Sequence, residues 1–269
     1  MNSTAPHREP VSVDPFGAFL GMWRLLWRRQ LAVKRMLLRG GLMLGFTLLT
    51  WLAIPPEGRV PDKVQANIFF GWVVGFYFLT LMPLTCLSVC GSMVREEAAA
   101  NTLCFYTTRP LKRAEMFLLF YFGNIASLQV LFGVLTMMLF GVAGIRGVDG
   151  LMSLLPLFFI TQFLALMAWG ALCSMLGMAH QRYILVGILY GLLVEIGIAN
   201  IPTNIANIAL SHHIHTMLAH HGPLGLMFGW STEGRVTSIT CLAVGTLLFL
   251  GIGAVLFTLR ELLPTQTEK

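Results

Sequence analysis

Six long apolar runs separated by short polar stretches set the pattern of this chain: residues 40–54, 67–94, 114–145, 151–178, 183–201 and 236–259. A helix crosses a bilayer with about 20 apolar residues, each adding about 1.5 Å. The runs therefore predict an all-α integral membrane protein with a six-helix transmembrane domain over 40–259. The first run ends at Pro55-Pro56. The second is longer than a crossing needs, so one end should project into water, and Pro83 inside it predicts a kink.

Residues 1–15 are polar and broken by Pro10 and Pro15, which reads as a disordered N-terminus. Over 16–39, Phe16, Leu20, Trp23, Leu26, Trp27 and Leu31 recur at helical spacing. Arg24, Arg28, Lys34 and Arg35 occupy the other faces. A basic amphipathic helix with tryptophans suits the headgroup layer of an anionic leaflet; the alternative is the basic start of the first crossing. Residues 260–269 form a polar tail.

Six crossings put both termini on one side, and the basic residues say which. Arg8, Arg24, Arg28, Arg29, Lys34, Arg35, Arg39, Arg95, Arg109, Lys112, Arg113, Arg182, Arg260 and Lys269 fall on that side. Only Arg59, Lys63, Arg146 and Arg235 fall on the other. Lys and Arg accumulate in cytoplasmic loops, so both termini and segment 95–113 are expected in the cytoplasm.

Composition agrees. The chain is 56% hydrophobic and 11% charged, against roughly 25% charged in soluble domains. The net charge of +6 reports topology, and no nucleic-acid partner is expected; membrane lipid is. No room remains for a separate soluble domain of ordinary size. The five cysteines show no CxxC or zinc-type spacing, and all but Cys104 lie within apolar runs.

Glycine pairs at four-residue spacing, Gly41/Gly45, Gly71/Gly75 and Gly187/Gly191, predict close helix packing where lipid supplies no hydrophobic drive. The two halves share no repeat, which weighs against an inverted-repeat carrier.

The chain holds neither a phosphate-binding GxxxxGK[ST] loop nor a GxSxG elbow. It is not expected to be an enzyme or to carry a cofactor, so active transport would draw energy from a partner or an ion gradient. Glu195 lies inside the fifth apolar run, where a carboxylate costs a few kcal/mol unless paired or neutral. A translocation or proton-relay role and a hydrogen-bonded structural role both fit it. The outer loop 200–235 carries His212, His213, His215, His220 and His221. His212 and His215 share a helix face, a thin basis for a metal site; a solvated or pH-responsive patch is the preferred reading.

The polar island 95–113 separates the second and third runs. Arg95-Glu96-Glu97 leads into Asn101-Thr102-Leu103, and Thr108-Arg109-Pro110-Leu111-Lys112-Arg113 opens the next helix. In this order and spacing the island resembles type-2 ABC exporter permeases, the transmembrane subunits of ATP-binding-cassette transporters. These permeases carry an acidic-arginine stretch, a Gly-Thr-Leu-Glu-like region, then Thr/Ser-x-Pro before Ser/Lys-Arg. Asn101 stands where glycine is usual, and Phe120/Tyr121 where a lysine often follows. Tyr190-Gly191-Leu192-Leu193-Val194-Glu195 is similar to the aromatic-apolar-Glu pattern of the family's fifth crossing.

The resemblance implies a permease without catalytic residues that pairs with a second copy or paralogue and with two cytoplasmic P-loop ATPase subunits, where ATP and Mg bind. Segment 95–113 would be the coupling loop, with Arg95, Glu96, Glu97, Thr102, Leu103, Thr108, Arg109, Pro110 and Arg113 as its contact residues. Two alternatives come from other classes. One is a metal-dependent membrane enzyme built on Glu195 and the outer-loop histidines; the other is a proton-coupled carrier centred on Glu195.

Overall fold

The computed structural model describes residues 15–30, 32–99, 112–148, 151–197, 207–219 and 234–259, and every regular element among them is helical. Five helices are long and apolar enough to cross a membrane: Arg35–Ala53, Asp62–Glu96, Arg113–Ile145, Leu151–Ala179 and Arg235–Leu259. The apolar helix Tyr183–Glu195 is shorter. The expected disordered N-terminus and polar tail lie outside the described residues.

Segment 16–39 is divided between two helices, α1 (Pro15–Gln30) and α2 (Val33–Ala53). The break falls at Ala32, whose ψ of 130° is extended, so Arg35 and Arg39 belong to the first span. α1 lays Leu26 against α6 (Arg113–Ile145), where a Cβ on Gly123 would sit 3.0 Å from Leu26 Cδ1, while Arg24 and Arg28 stay exposed.

The second span is one rod of several windings. α3 (Asp62–Trp72) passes into a π-helical stretch, Val73–Leu81, and then into α4 (Met82–Val89) and α5 (Met93–Ala99). The winding changes just before Pro83, where the sequence predicts a kink. Proline removes a backbone donor, and the rod is already widened before it, with Met82 N–H donating five residues back to Tyr77 O. Wide helical turns of this kind recur at functional sites.

After α6 come a 3₁₀ turn, Leu151–Leu154, and α7 (Leu155–Ala179). α8 (Tyr183–Tyr190) runs into a second π-helical stretch, Gly191–Gly197. α9 (Leu210–Ala219) is short and buried, and α10 (Arg235–Leu259) closes the bundle. α10 lies along α7 in the most extensive helix pairing of the fold. Ser238, Leu242, Thr246, Leu250, Gly253 and Phe257 form its buried stripe, at the three-to-four spacing that keeps one helix face inward. Val244, Leu247, Val255 and Leu259 point outward, an apolar outer face on a helix long and apolar enough to cross a membrane.

Polar groups knot the bundle where lipid offers no hydrophobic drive. The Tyr77 hydroxyl lies 2.7 Å from Thr136 Oγ1 and 3.1 Å from Gln162 Oε1, and Thr136 Oγ1 donates to Gln162 Oε1 at 2.6 Å. All three side chains are fully buried, joining the second, third and fourth spans. At one end of the bundle, Gln65 Nε2 donates to Pro55 O and Arg146 O at 2.8 and 2.7 Å. Arg146 stacks over the Trp51 ring at 4.1 Å and donates to Trp51 O.

The glycines that permit close approach are mostly not the expected pairs. Added Cβ atoms at Gly41, Gly45, Gly71, Gly75 and Gly191 would meet nothing within 4 Å, so these positions pack closely against no other helix among the described residues. At Gly187 a Cβ would lie 2.5 Å from Leu87 Cδ1. Contacts as tight or nearly so are at Gly91 against Tyr183, Gly170 against Ile125, Gly177 against the Gly91 backbone and Gly253 against Phe117.

Candidate functional site

Both ends of the polar island are fastened to the bundle. On the α5 side, Arg95 forks across the turn between α7 and α8. Its Nε donates to Gly177 O at 3.1 Å, Nη1 to Gln181 O at 2.6 Å, and Nη2 to His180 O. These carbonyls end α7, where a helix leaves acceptors without partners and favours a cation. The same guanidinium lies 5.2 Å from the Tyr183 ring centroid. Glu96 faces the other way. It accepts from Arg35 Nη2 on α2 and from Ser92 Oγ, both at 2.6 Å.

On the α6 side, Glu115 accepts from Lys112 N–H at 3.1 Å and closes the helix start. Arg113 Nη1 reaches Thr258 O, near the end of α10, at 3.4 Å. Thus Arg95, Glu96 and Arg113 connect the island to α2, the α7–α8 turn and α10. Glu97 follows on α5, and Thr102, Leu103, Thr108, Arg109 and Pro110 lie outside the described residues.

Alongside this linkage runs a cleft of about 150 Å³ between the second span, α7 and α8. It is lined by Leu87, Trp169, Cys173, Gly187, Tyr190 and Glu195 among others. Its wall is apolar apart from a few polar groups. The Trp169 indole N–H is buried without an acceptor among the described residues, and its ring stands edge-on to Tyr190 at 6.4 Å. Such a wall suits a largely apolar ligand with one or two acceptors.

Glu195 closes the far end of this cleft and has a structural task. Its Oε1 accepts from Leu210 N at 3.1 Å and its Oε2 from Ser211 N at 2.7 Å; Ser211 Oγ donates to Glu195 O at 3.2 Å. The carboxylate therefore caps α9, meeting two backbone donors that a helix start leaves open. The hydrogen-bonded reading of Glu195 is the one this geometry favours. Its partner lies 15 residues downstream and carries no local signature.

The histidines of α9 do not form the expected solvated patch. α9 packs against α7 and α10, His213 is 4% exposed, and its Nε2 donates to Asn207 O at 2.9 Å. Burial, with His212 beside it, pushes His215 down to about 4, below the range in which a histidine switches near neutrality. Among the described residues no three His, Cys, Asp or Glu side chains are grouped to hold a metal ion. His220 and His221 lie outside the described residues.

Pattern reading takes Arg39 only as a topology charge and passes over Gln30 and Asn124. Arg39 Nη2 donates to Gln30 Oε1 at 2.6 Å, Gln30 Nε2 donates to Asn124 Oδ1, and Asn124 Nδ2 returns to Phe120 O. Gln30 and Asn124 stand in amphipathic or apolar stretches, and a count of charged residues does not find them.

Comparison of the chain with family models, with curated proteins and with solved structures gives no significant match.

Proposed function

We propose that this chain is the membrane-embedded permease subunit of an ATP-driven exporter. It pairs with a second copy or a paralogue, and ATP with Mg is hydrolysed in a separate P-loop ATPase. Segment 95–113 takes up the motion of that ATPase on the cytoplasmic side of a bacterial inner membrane. The observation that carries this reading is the Arg95 fork. A displacement of α5 must drag the α7–α8 turn, because three hydrogen bonds and a ring contact join them.

The second and third links, Glu96 to Arg35 and Arg113 to Thr258, spread the displacement to α2 and α10. The cleft at Trp169, Cys173 and Tyr190 lies between the helices so moved, and its apolar wall suits lipid-like or amphipathic cargo. The sequence holds no GxxxxGK[ST] loop, which supports an energy source in another polypeptide.

Purification in mild detergent from cells expressing the chain at native level tests this. An ATPase should co-purify, and its turnover should be lost in Arg109→Glu and Arg113→Glu variants that still insert in the membrane. An isolated chain that moves cargo without any ATPase, or variants that retain stimulated turnover, would overturn the proposal.

A further inference from the structure

A second cleft, of about 230 Å³, opens at the basic end of the bundle between α1, α2, the α4–α5 rod and α6. Its polar floor is Gln30, Arg35, Arg39, Glu96 and Asn124, and its walls include Leu38, Val89, Leu128 and Leu131. A neighbouring cleft of about 240 Å³ between α1, α2 and α6 shares Gln30, Arg39 and Leu131 with it. Arg39 is thus a saddle between two apolar grooves.

The charges do not balance there. Arg35 is matched by Glu96 at 2.6 Å. Arg39, partly buried, has one hydrogen-bond acceptor among the described residues, the neutral Gln30 amide. A guanidinium carries five donors in a planar fork and is poorly served by one amide oxygen. Withdrawn from water, such a cation calls for an anion, and its fork matches phosphate oxygens in pairs. The grooves on either side open outward past Leu38, Met36 and Val130, all more than half exposed, on the surface that meets hydrocarbon. A headgroup at Arg39 would have its acyl chains lie along those walls without exposing them to water.

We propose that Arg39 holds the phosphate of an anionic membrane phospholipid whose acyl chains lie in the two grooves that meet at Leu131. Basic pockets between membrane helices hold anionic headgroups on the cytoplasmic side by the same chemistry. The occupant is a lipid rather than a free anion because the grooves beside the cation carry apolar walls, Leu38, Val89, Leu128 and Leu131 in one and Met36, Met43, Val130 and Val134 in the other. The proposal does not depend on the transport reading.

The full-length chain, purified in a neutral detergent, would be titrated with phosphatidylglycerol, with phosphatidylcholine of the same acyl composition, and with inorganic phosphate. Thermal unfolding and native mass spectrometry supply the readouts. Phosphatidylglycerol should raise the unfolding midpoint saturably and remain bound to the chain, while the other two do neither. Arg39→Gln should weaken phosphatidylglycerol binding by about tenfold or more, and Arg39→Lys by less.

Leu131→Trp, which fills the junction while keeping both arginines, gives an independent check, since it should weaken binding without removing charge. Equal responses to the two lipids would overturn the proposal. So would a response to phosphate matching that to phosphatidylglycerol, or unaltered binding in Arg39→Gln or in Leu131→Trp.

Discussion

Gly91 and Gly177 meet backbone to backbone: a Cβ on Gly177 would stand 2.1 Å from the Gly91 carbonyl oxygen. No side chain can relieve that contact by turning aside, because the obstacle is main chain. Gly177→Ala should therefore force the second and fourth spans apart. Overpacking of this kind costs about 1–3 kcal/mol. Thermal unfolding in detergent should show a clear drop for Gly177→Ala, whereas Gly45→Ala, with nothing within 4 Å, should unfold within about 0.5 kcal/mol of the parent. Equal effects at the two positions would contradict the packing described.

Arg95→Ala removes three donors from the carbonyls that end α7. The side chain is only partly buried, so water compensates in part, and the expected loss is roughly 1–2 kcal/mol. Arg95→Lys should restore little, since an ammonium group cannot reproduce the fork. If the chain works with an ATPase as proposed, both variants should bind it normally yet show lower cargo-stimulated turnover. Full stimulated turnover in Arg95→Ala would mean the fork does not transmit motion.

Glu195→Ala should loosen α9 by about 1–2 kcal/mol, the range for loss of an N-terminal cap. Glu195→Gln keeps a single acceptor oxygen and should lose less. Hydrogen exchange at the Leu210 and Ser211 amides is the direct measurement, with faster exchange in the order Ala, Gln, parent. If Glu195 relayed protons instead, Gln would be as damaging to flux as Ala while those amides stayed protected.

The Tyr77, Thr136 and Gln162 cluster makes a further stability test. The Tyr77 hydroxyl also donates to Phe132 O at 3.1 Å, so Gln162→Leu leaves Tyr77 with two of its three contacts and Thr136 without its carbonyl acceptor. Interhelical hydrogen bonds in membranes are worth about 0.6–2 kcal/mol. Unfolding of Gln162→Leu and Thr136→Val, singly and together, should give losses in that range that are less than additive.

His215 gives a pH dependence with a definite sign. Its folded value, about 4, lies below the unfolded value of about 6.5, so the unfolded chain binds the extra proton first. The contribution of this residue is complete above about pH 6.5 and disappears as pH falls through 4. Unfolding midpoints followed from pH 7.5 to 4.5 should decline, and His215→Gln should flatten that decline. An unchanged slope would place the His215 ring in water.

Long apolar runs made the helical spans plain from the sequence, because a bilayer imposes a length on them. Smaller features were hidden for identifiable reasons. The break at Ala32 has no proline or glycine beside it; the segment Gln30-Leu31-Ala32 reads as ordinary helix. Glycine pairs at four-residue spacing drew attention to Gly41 and Gly45, yet a close approach depends on what the facing helix presents. Gly91, Gly170, Gly177 and Gly253 stand singly, each opposite a chosen neighbour. Glu195 stood out as a carboxylate among apolar residues, but its partners are backbone amides, which every sequence contains. Within the island, Arg95, Glu96 and Arg113 were visible as charges, and only the folded chain pairs them with carbonyls and with Arg35.

The π-wound stretch Val73–Leu81 has a consequence for the rod it interrupts. A turn that wide holds more residues per unit length than a regular one, so the rod stores slack between its two ends. Were that stretch to rewind as ordinary helix, the segment bearing Arg95 would both advance and swivel relative to Asp62. One strand of chain would thereby turn a small rotation at one membrane face into travel at the other, with no loop having to bend.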